Sequence, residues 1–292
     1  MRLLEYTTEL YVIVDDFFKM LQKSKNGKNM LNNWNGKRGP KRRLTVSQVV
    51  TLNIIRFCYR VKDLKTFHRI LKVRFLKEFP TLPNYENFLK ASNWSIGYVT
   101  LFLKFLLFLN SKKKNEVHYV DSTDIAVCKN YNIYKHKVAK EIAARGKTSK
   151  GWFYGLKIHG VCDQDGNLEN VLFTSGNVHD NQVLKELLDN LIGLFICDSG
   201  YLLKPEDIEN FMKKNIHFFI ATRKNMKRLM TDEQNKFFKK RSRIETNWDV
   251  LKERFSIVYS FARSIFGLLR HHIYSLVSFM LKDVNPGFLL EY

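Results

Sequence analysis

The sequence predicts an α/β protein whose C-terminal part is a mixed five-stranded sheet flanked by helices and whose N-terminal part is all helical. Three observations lead there. Up to residue 110 the apolar residues recur at helical spacing, with capping residues and prolines where helices would start and stop. Beyond a basic boundary at 111–115, short apolar runs take over, each bounded by turn residues. Three such runs come in succession and then alternate with helical patterns, the order of a mixed sheet with helices on its faces. The expected domains are therefore 1–110 and 111–292.

Residues 3–22 read as an amphipathic helix. The stretch 19–43 is rich in Lys and Arg and has no acidic residue, while Gly27, Gly36, Gly39 and Pro40 interrupt regular structure. It is expected to be a flexible basic linker. Either it lies along phosphates, through Lys37, Arg38, Arg42 and Arg43, or it is a solvated loop. Thr45 or Ser47 can cap a helix running to about Arg60; a second spans 64–78, before Pro80, and a third begins at Asn84. Short connections between three helices fit a helix-turn-helix-like, DNA-binding unit, with Asn84, Glu86, Asn87, Lys90 and Asn93 as candidate groove-facing groups. The apolar segment 94–109 closes this core. Its most apolar part, 96–109, is shorter than the ~20 residues that span a bilayer and contains Lys104.

In the second half, 117–120 is a short strand running into Asp121. The insert 123–151 is irregular and, from 129 to 150, strongly basic; Lys135, Lys137, Lys140, Arg145, Lys147 and Lys150 are expected to touch DNA rather than one another. Strands follow at 152–162 and 168–174, joined by a hairpin-type turn at 163–166. A helix at 180–191 would be capped by Asp180. A buried strand at 194–197 ends in Asp198, and a helix at 204–214 precedes the last strand, 216–221. Finally, 238–252 (FKKRSRIETNWDVLK) reads as one helix. At about 100° per residue, Ile244, Trp248, Leu251 and Phe255 form a narrow apolar stripe, with Arg241, Glu245 and Lys252 beside it. Taken alone, Arg241 and Glu245 could be an ordinary i,i+4 surface pair worth a few tenths of a kcal/mol.

The formal net charge of +21 over 292 residues points to a polyanionic partner. Codon bias could enrich Lys but would not cluster it. An anionic membrane surface would also attract such a chain, yet no basic amphipathic helix with an exposed apolar face is visible, and no membrane partner is expected. Cys58, Cys128, Cys162 and Cys197 are too widely spaced for a zinc finger or a disulfide framework and read as reduced, mostly buried thiols. The N-terminus lacks a signal-peptide pattern, so a cytoplasmic protein is expected.

Asp121 and Asp198 each follow an apolar strand, which in an open α/β sheet is the ligand-binding edge. If the first and fourth strands are parallel neighbours, the two carboxylates lie side by side there, and the 238–252 helix would add Glu245. Three clustered carboxylates resist ionising together. A pair of hard divalent cations resolves that repulsion and suits phosphoryl transfer. Asp124 is either a spare ligand or a solvated loop residue. His159 should be packed or hydrogen-bonded, and His271 and His272, in an apolar helix without a nearby acid, are not expected to bind metal.

The company these residues keep is more specific than their spacing. Asp121 opens Asp-Ser-Thr-Asp and Asp198 opens Asp-Ser-Gly-Tyr. Phe238, Arg241, Glu245 and Lys252 stand at the intervals of a Tyr, Arg, Glu, Lys signature, with Phe in place of Tyr. With the stretch 155–180 and the N-terminal LTVSQVVTLNII and FPTLPNYENF, the chain resembles bacterial insertion-sequence transposases bearing a DDE triad, members of the retroviral-integrase superfamily with an RNase H-like catalytic fold. The resemblance implies a DNA strand transferase using two Mg²⁺ ions, or Mn²⁺ in their place, held by Asp121, Asp198 and Glu245. It implies that Arg241 and Lys252 hold DNA phosphates or compensate the charge of Glu245, and for Asp180 it offers a position near the active site as the alternative to a helix cap. The partners implied are the terminal inverted repeats of the element and target DNA, with a homodimer in the synaptic complex. A non-catalytic DNA-binding protein, either an element repressor or a degraded copy, is the competing reading. The Arg-Glu-Lys spacing speaks against a different RNase H-like nuclease.

Overall fold

The computed structural model describes residues 3–36, 41–113, 115–220, 231–258 and 260–282. Its elements are α1 (Leu3–Gln22), α2 (Lys25–Asn32), α3 (Val46–Cys58), α4 (Leu64–Arg74), α5 (Tyr85–Trp94), α6 (Ile96–Ser111), β1 (Val117–Cys128), β2 (Ala144–Thr148), β3 (Gly151–Cys162) and β4 (Leu168–Ser175). They continue as α7 (Leu184–Leu187), β5 (Gly193–Cys197), α8 (Pro205–Met212), β6 (Ile216–Ile220), α9 (Asp232–Lys239), α10 (Ser242–Glu253) and α11 (Ile265–Met280). The chain divides into two units, Met1–Lys104 with Glu253–Tyr292, and Phe105–Lys252.

In the first unit, side chains set the helix starts. Thr45 and Gln48 form a reciprocal capping box, each accepting the other's backbone N–H. Asp63, Asn84 and Ser264 cap α4, α5 and α11 by accepting the N–H three residues on. The core is built on α3, whose residues are buried almost all round beneath α1, α5 and α11. α11 therefore belongs to the helical unit, and the expected 111–292 domain ends earlier than the sequence suggested. The physical reason is that Tyr274, Leu276, Val277 and Phe279 of α11 are fully or almost fully buried, with Ser278 bonded to Ile54 and Tyr274 to Ser95.

The expected flexible linker 19–43 is largely ordered. Ser24 caps α2 through Gly27 N at 3.0 Å, and Gly27 sits where a Cβ would lie 2.0 Å from the Leu21 carbonyl oxygen. That glycine permits a close helix approach instead of breaking the helix. Lys37 and Arg38 lie outside the described residues. No single helix among the described residues is long and apolar enough to cross a membrane.

The second unit is a six-stranded sheet in the order β2-β3-β1-β5-β6, with β4 also on β3. β3 is the organising strand: β1 runs antiparallel along one side, and on the other β2 covers its first half and β4 its second. β5 joins β1 in parallel, and β6 joins β5 in parallel. The sixth strand, β2, arises inside the basic insert that the sequence left irregular. Its alternation is masked by charged side chains facing solvent at Arg145 and Lys147. β1 also continues eight residues beyond the expected 117–120, because β3 is long enough to pair with it from Tyr119 to Cys128.

One face of the sheet is closed by Leu184, Leu187, Leu188 and Leu191 against Val120, Val161, Phe195 and Cys197. The other carries α10, whose Ile244, Trp248 and Leu251 are buried as the apolar stripe predicts. The expected helix 238–252 is interrupted, however. α9 ends at Lys239 and α10 begins at Ser242, with i→i−3 bonds through Lys240 and Arg241 tightening the chain between them.

Candidate active site

Asp121 lies within β1, paired with Gly160 of β3, and not after the strand as the sequence suggested. Asp198 follows β5 directly, and its Oδ1 accepts Gly200 N at 2.6 Å. β1 and β5 are parallel neighbours, with Tyr119 opposite Ile196. Two residues further along each strand come Asp121 and Asp198, so the pair shares one end of the β1–β5 ladder. α10 supplies Glu245 from its first turn.

Arg241 ties Asp121 to Glu245. Its Nη1 reaches Asp121 Oδ1 at 3.5 Å, and its Nη2 bonds Glu245 Oε1. The guanidinium also lies 5.6 Å from the centre of the Phe238 ring, which packs edge-on to Phe219 of β6. Phe238 thus positions Arg241 by its face and needs no hydroxyl to do so. Lys252 bonds Asp124 at 3.0 Å and not Glu245; Asp124, expected in a loop, is a β1 residue with an ionic partner.

Burial is the main cause that pushes the Asp121 carboxyl up to about 7; Asp198 and Glu245 push the same way, while Arg241 opposes them. Burial, then Asp198 and Asp121, raise the neighbouring Cys197 thiol. The Tyr201 hydroxyl is likewise raised well above its ordinary value by burial and by Asp180 and Asp121.

For a fourth carboxylate, Asp180, the sequence offers two roles, a helix cap or a place near the active site. In the structure the turn begins at His179, and Asp180 Oδ1 instead accepts Ser122 Oγ at 2.9 Å and Lys157 Nζ at 3.0 Å. A Cβ on Gly200 would stand 2.9 Å from Asp198 Oδ1 and 3.6 Å from Asp180 Oδ2, so both acids face the same glycine. The sequence did carry a signal for this cluster: Lys157 is a lone cation within the apolar run of β3. His159 is buried and bonds Thr174 at 2.8 Å, as a packed strand histidine should.

Among the described residues, no group of three or more His, Cys, Asp or Glu side chains is gathered to hold a metal ion. The donor chemistry nonetheless suits a hard divalent cation, since Asp121, Asp198 and Glu245 offer only carboxylate oxygens. Arg241, bridging Asp121 and Glu245, supplies the positive charge that such an ion would bring.

The basic candidates are dispersed. Lys135, Lys137, Lys147 and Lys150 are exposed in the insert beside the exposed rings of Tyr131, Tyr134 and Trp152, and Lys147 lies 5.6 Å from the Trp152 ring centre. In the helical unit, Arg43 is exposed. Arg42 is engaged, its Nε donating to the Trp34 carbonyl at 2.7 Å and its guanidinium lying 5.1 and 5.4 Å from the Trp34 and Trp94 ring centres.

A family model described as a transposase DDE domain matches residues 111–265, the stretch that holds the sheet, Asp121, Asp198 and Glu245. No curated protein and no solved structure matches the chain. The match covers more than half of the sequence, and the chain belongs to the transposase DDE domain family.

Proposed function

We propose that this protein is a DNA transposase that cuts at the ends of its element and transfers the resulting 3′-hydroxyl into target DNA. The observation that carries the reading is that Asp121 of β1 and Glu245 of α10 share Arg241, while Asp198 follows β5, the parallel neighbour of β1. A further support is the sheet order, β4-β3-β1-β5-β6 with β2 as an added hairpin, which suits an RNase H-like catalytic fold.

Asp121, Asp198 and Glu245 would hold divalent cations, Mg²⁺ or Mn²⁺. When bound, such ions supply Lewis acidity and charge neutralisation for attack at phosphorus. The reaction balances as two in-line displacements. Water attacks a phosphodiester and releases a 3′-hydroxyl; that hydroxyl then attacks a target phosphodiester, forming one P–O bond as another breaks. The half-buried Asp121, with its raised pKa, accepts a neighbouring positive charge more readily than it ionises alone. Arg241 and Lys252 hold DNA phosphates beside the cut, released from Asp121, Glu245 and Asp124. The exposed cations of the insert, Lys135, Lys137, Lys147 and Lys150, with Tyr131, Tyr134 and Trp152 among them, track the DNA backbone and stack on exposed bases. The helical unit binds the terminal inverted repeats, and two copies of the chain join two ends.

The test is cleavage of DNA carrying the element's own termini, comparing the wild type with Asp198→Asn and Glu245→Gln. Cuts at the termini that require Mg²⁺ or Mn²⁺ and vanish in both variants are expected. Salt-sensitive binding with no cleavage under any metal would leave a non-catalytic DNA-binding protein.

A further inference from the structure

The helical unit contains a cleft of about 670 Å³. Its walls come from the end of α3, the start of α4, α5 and the first turns of α11. Two of its lining residues are buried arginines: Arg56 is 2% exposed and Arg270 is 7% exposed. Among the described residues, neither forms an ion pair with a carboxylate. Arg56 Nη1 donates to the Lys62 carbonyl at 3.0 Å, and its Nη2 lies 3.5 Å from His271 Nδ1. Arg270 Nη1 donates to the side-chain oxygen of Asn93. His271 Nε2 donates to the Ser256 carbonyl at 2.6 Å. Its Nδ1 is therefore an acceptor, and burial together with Arg56 holds the ring neutral. Among the described residues, the Nε groups of both arginines have no hydrogen-bond partner.

The remaining charges around the cleft do not correct this imbalance. Lys62, Lys65 and Arg263 also line it, against the single acid Asp63. Asp63 Oδ2 is already committed to the Thr66 backbone N–H and hydroxyl at 2.7 and 2.6 Å. The first turn of α11 faces the same space through Ser264 and Gly267 and adds the positive end of a 16-residue helix. Asp63 attracts Arg56 across the cleft, but among the described residues no carboxylate bonds either guanidinium, and burying two of them so under-compensated is unfavourable unless an anion completes the site. Burial lowers the pKa of both, and Arg270 lowers that of Arg56 further.

We propose that this cleft binds a phosphate group, with Arg56 and Arg270 as its buried donors and the exposed Lys65 and Arg263 at its rim. Geometry suits phosphate, since guanidinium N–H groups pair with its oxygens in a planar fork. The phosphate could belong to the backbone of DNA bound by this unit or to a free phosphorylated molecule. Those are two sources of one chemistry, and the test separates them.

The test is calorimetric titration of the full chain at constant ionic strength, without divalent cations, using inorganic pyrophosphate in one arm and a short random-sequence duplex in the other. The variants are Arg270→Gln and the doubly substituted Lys65→Ala/Arg263→Ala. The second pair is exposed, so its circular dichroism spectrum stays that of the wild type even if Arg270→Gln fails to fold. Saturable binding of at least one probe, weakened tenfold or more by the rim pair, is expected. Displacement of bound pyrophosphate by the duplex assigns the site to the DNA backbone; binding of pyrophosphate alone assigns it to a small phosphorylated ligand. Equal behaviour of wild type and rim pair toward both probes, whether both bind or neither does, overturns the proposal.

Discussion

Trp248 rests on Gly160. A Cβ at Gly160 would stand 2.5 Å from the indole of Trp248, and Gly160 is the β3 partner of Asp121. The missing side chain on β3 is thus what lets α10 lie close enough for Arg241 and Glu245 to reach the edge that Asp121 occupies. Gly160→Ala is expected to displace the indole, cost about 1–3 kcal/mol of stability and lower DNA cleavage more than a comparable loss elsewhere in the sheet would. Urea unfolding beside a cleavage assay checks both parts.

Asp121 gives the protein a pH signature in the absence of metal. Its carboxyl is raised from 3.8 to about 7, so the folded chain binds a proton that the unfolded chain has lost. The penalty on its ionised form is absent below about pH 4, grows through the interval and is complete above about pH 7. Asp121→Asn should therefore gain stability relative to the wild type as pH rises from 5 to 8, by on the order of 2 kcal/mol. Denaturant melts in EDTA at several pH values measure the difference.

The Lys157–Asp180 pair is mostly buried, with side chains 12% and 21% exposed. Asp180→Ala leaves Lys157 without its counter-charge and is expected to cost about 3 kcal/mol. Replacing both by apolar residues, in Lys157→Met with Asp180→Leu, should recover much of that loss. A double-mutant cycle by chemical denaturation reads the coupling.

Arg42 and Arg43 are neighbours with opposite expected behaviour. Arg42 lies against Trp34 and Trp94, so Arg42→Ala should cost about 1 kcal/mol of stability. Exposed Arg43 contributes little to folding. If it neutralises a phosphate, Arg43→Ala lowers the slope of log affinity against log salt by about one with the thermal midpoint unchanged.

Much of this architecture was legible in the chain. The capping residues Thr45 and Asn84 and the apolar stripe Ile244, Trp248 and Leu251 follow from local pattern, whereas the parallel pairing of β1 with β5 entered the sequence reading only as a condition. What escaped depends on distant partners. β2 is hidden because charged residues occupy its solvent face, and β1 looked short because its polar half is ordered only by pairing with β3. The partnership of Asp180 with Ser122 and Lys157 is a tertiary contact, of which the sequence shows only the lone cation Lys157 in the apolar run of β3. α11 looked continuous with the domain before it, since sequence order does not reveal which core an apolar helix enters.

The most direct test of the central claim is Mn²⁺ binding by the full chain, read by electron paramagnetic resonance, with Asp121→Asn, Asp198→Asn and Glu245→Gln alongside. Saturable binding of two ions per chain is expected in the presence of a duplex of the element's terminal sequence, with at least one ion lost in each variant. Absence of saturable Mn²⁺ binding, or binding that is the same in all four proteins, would contradict the claim.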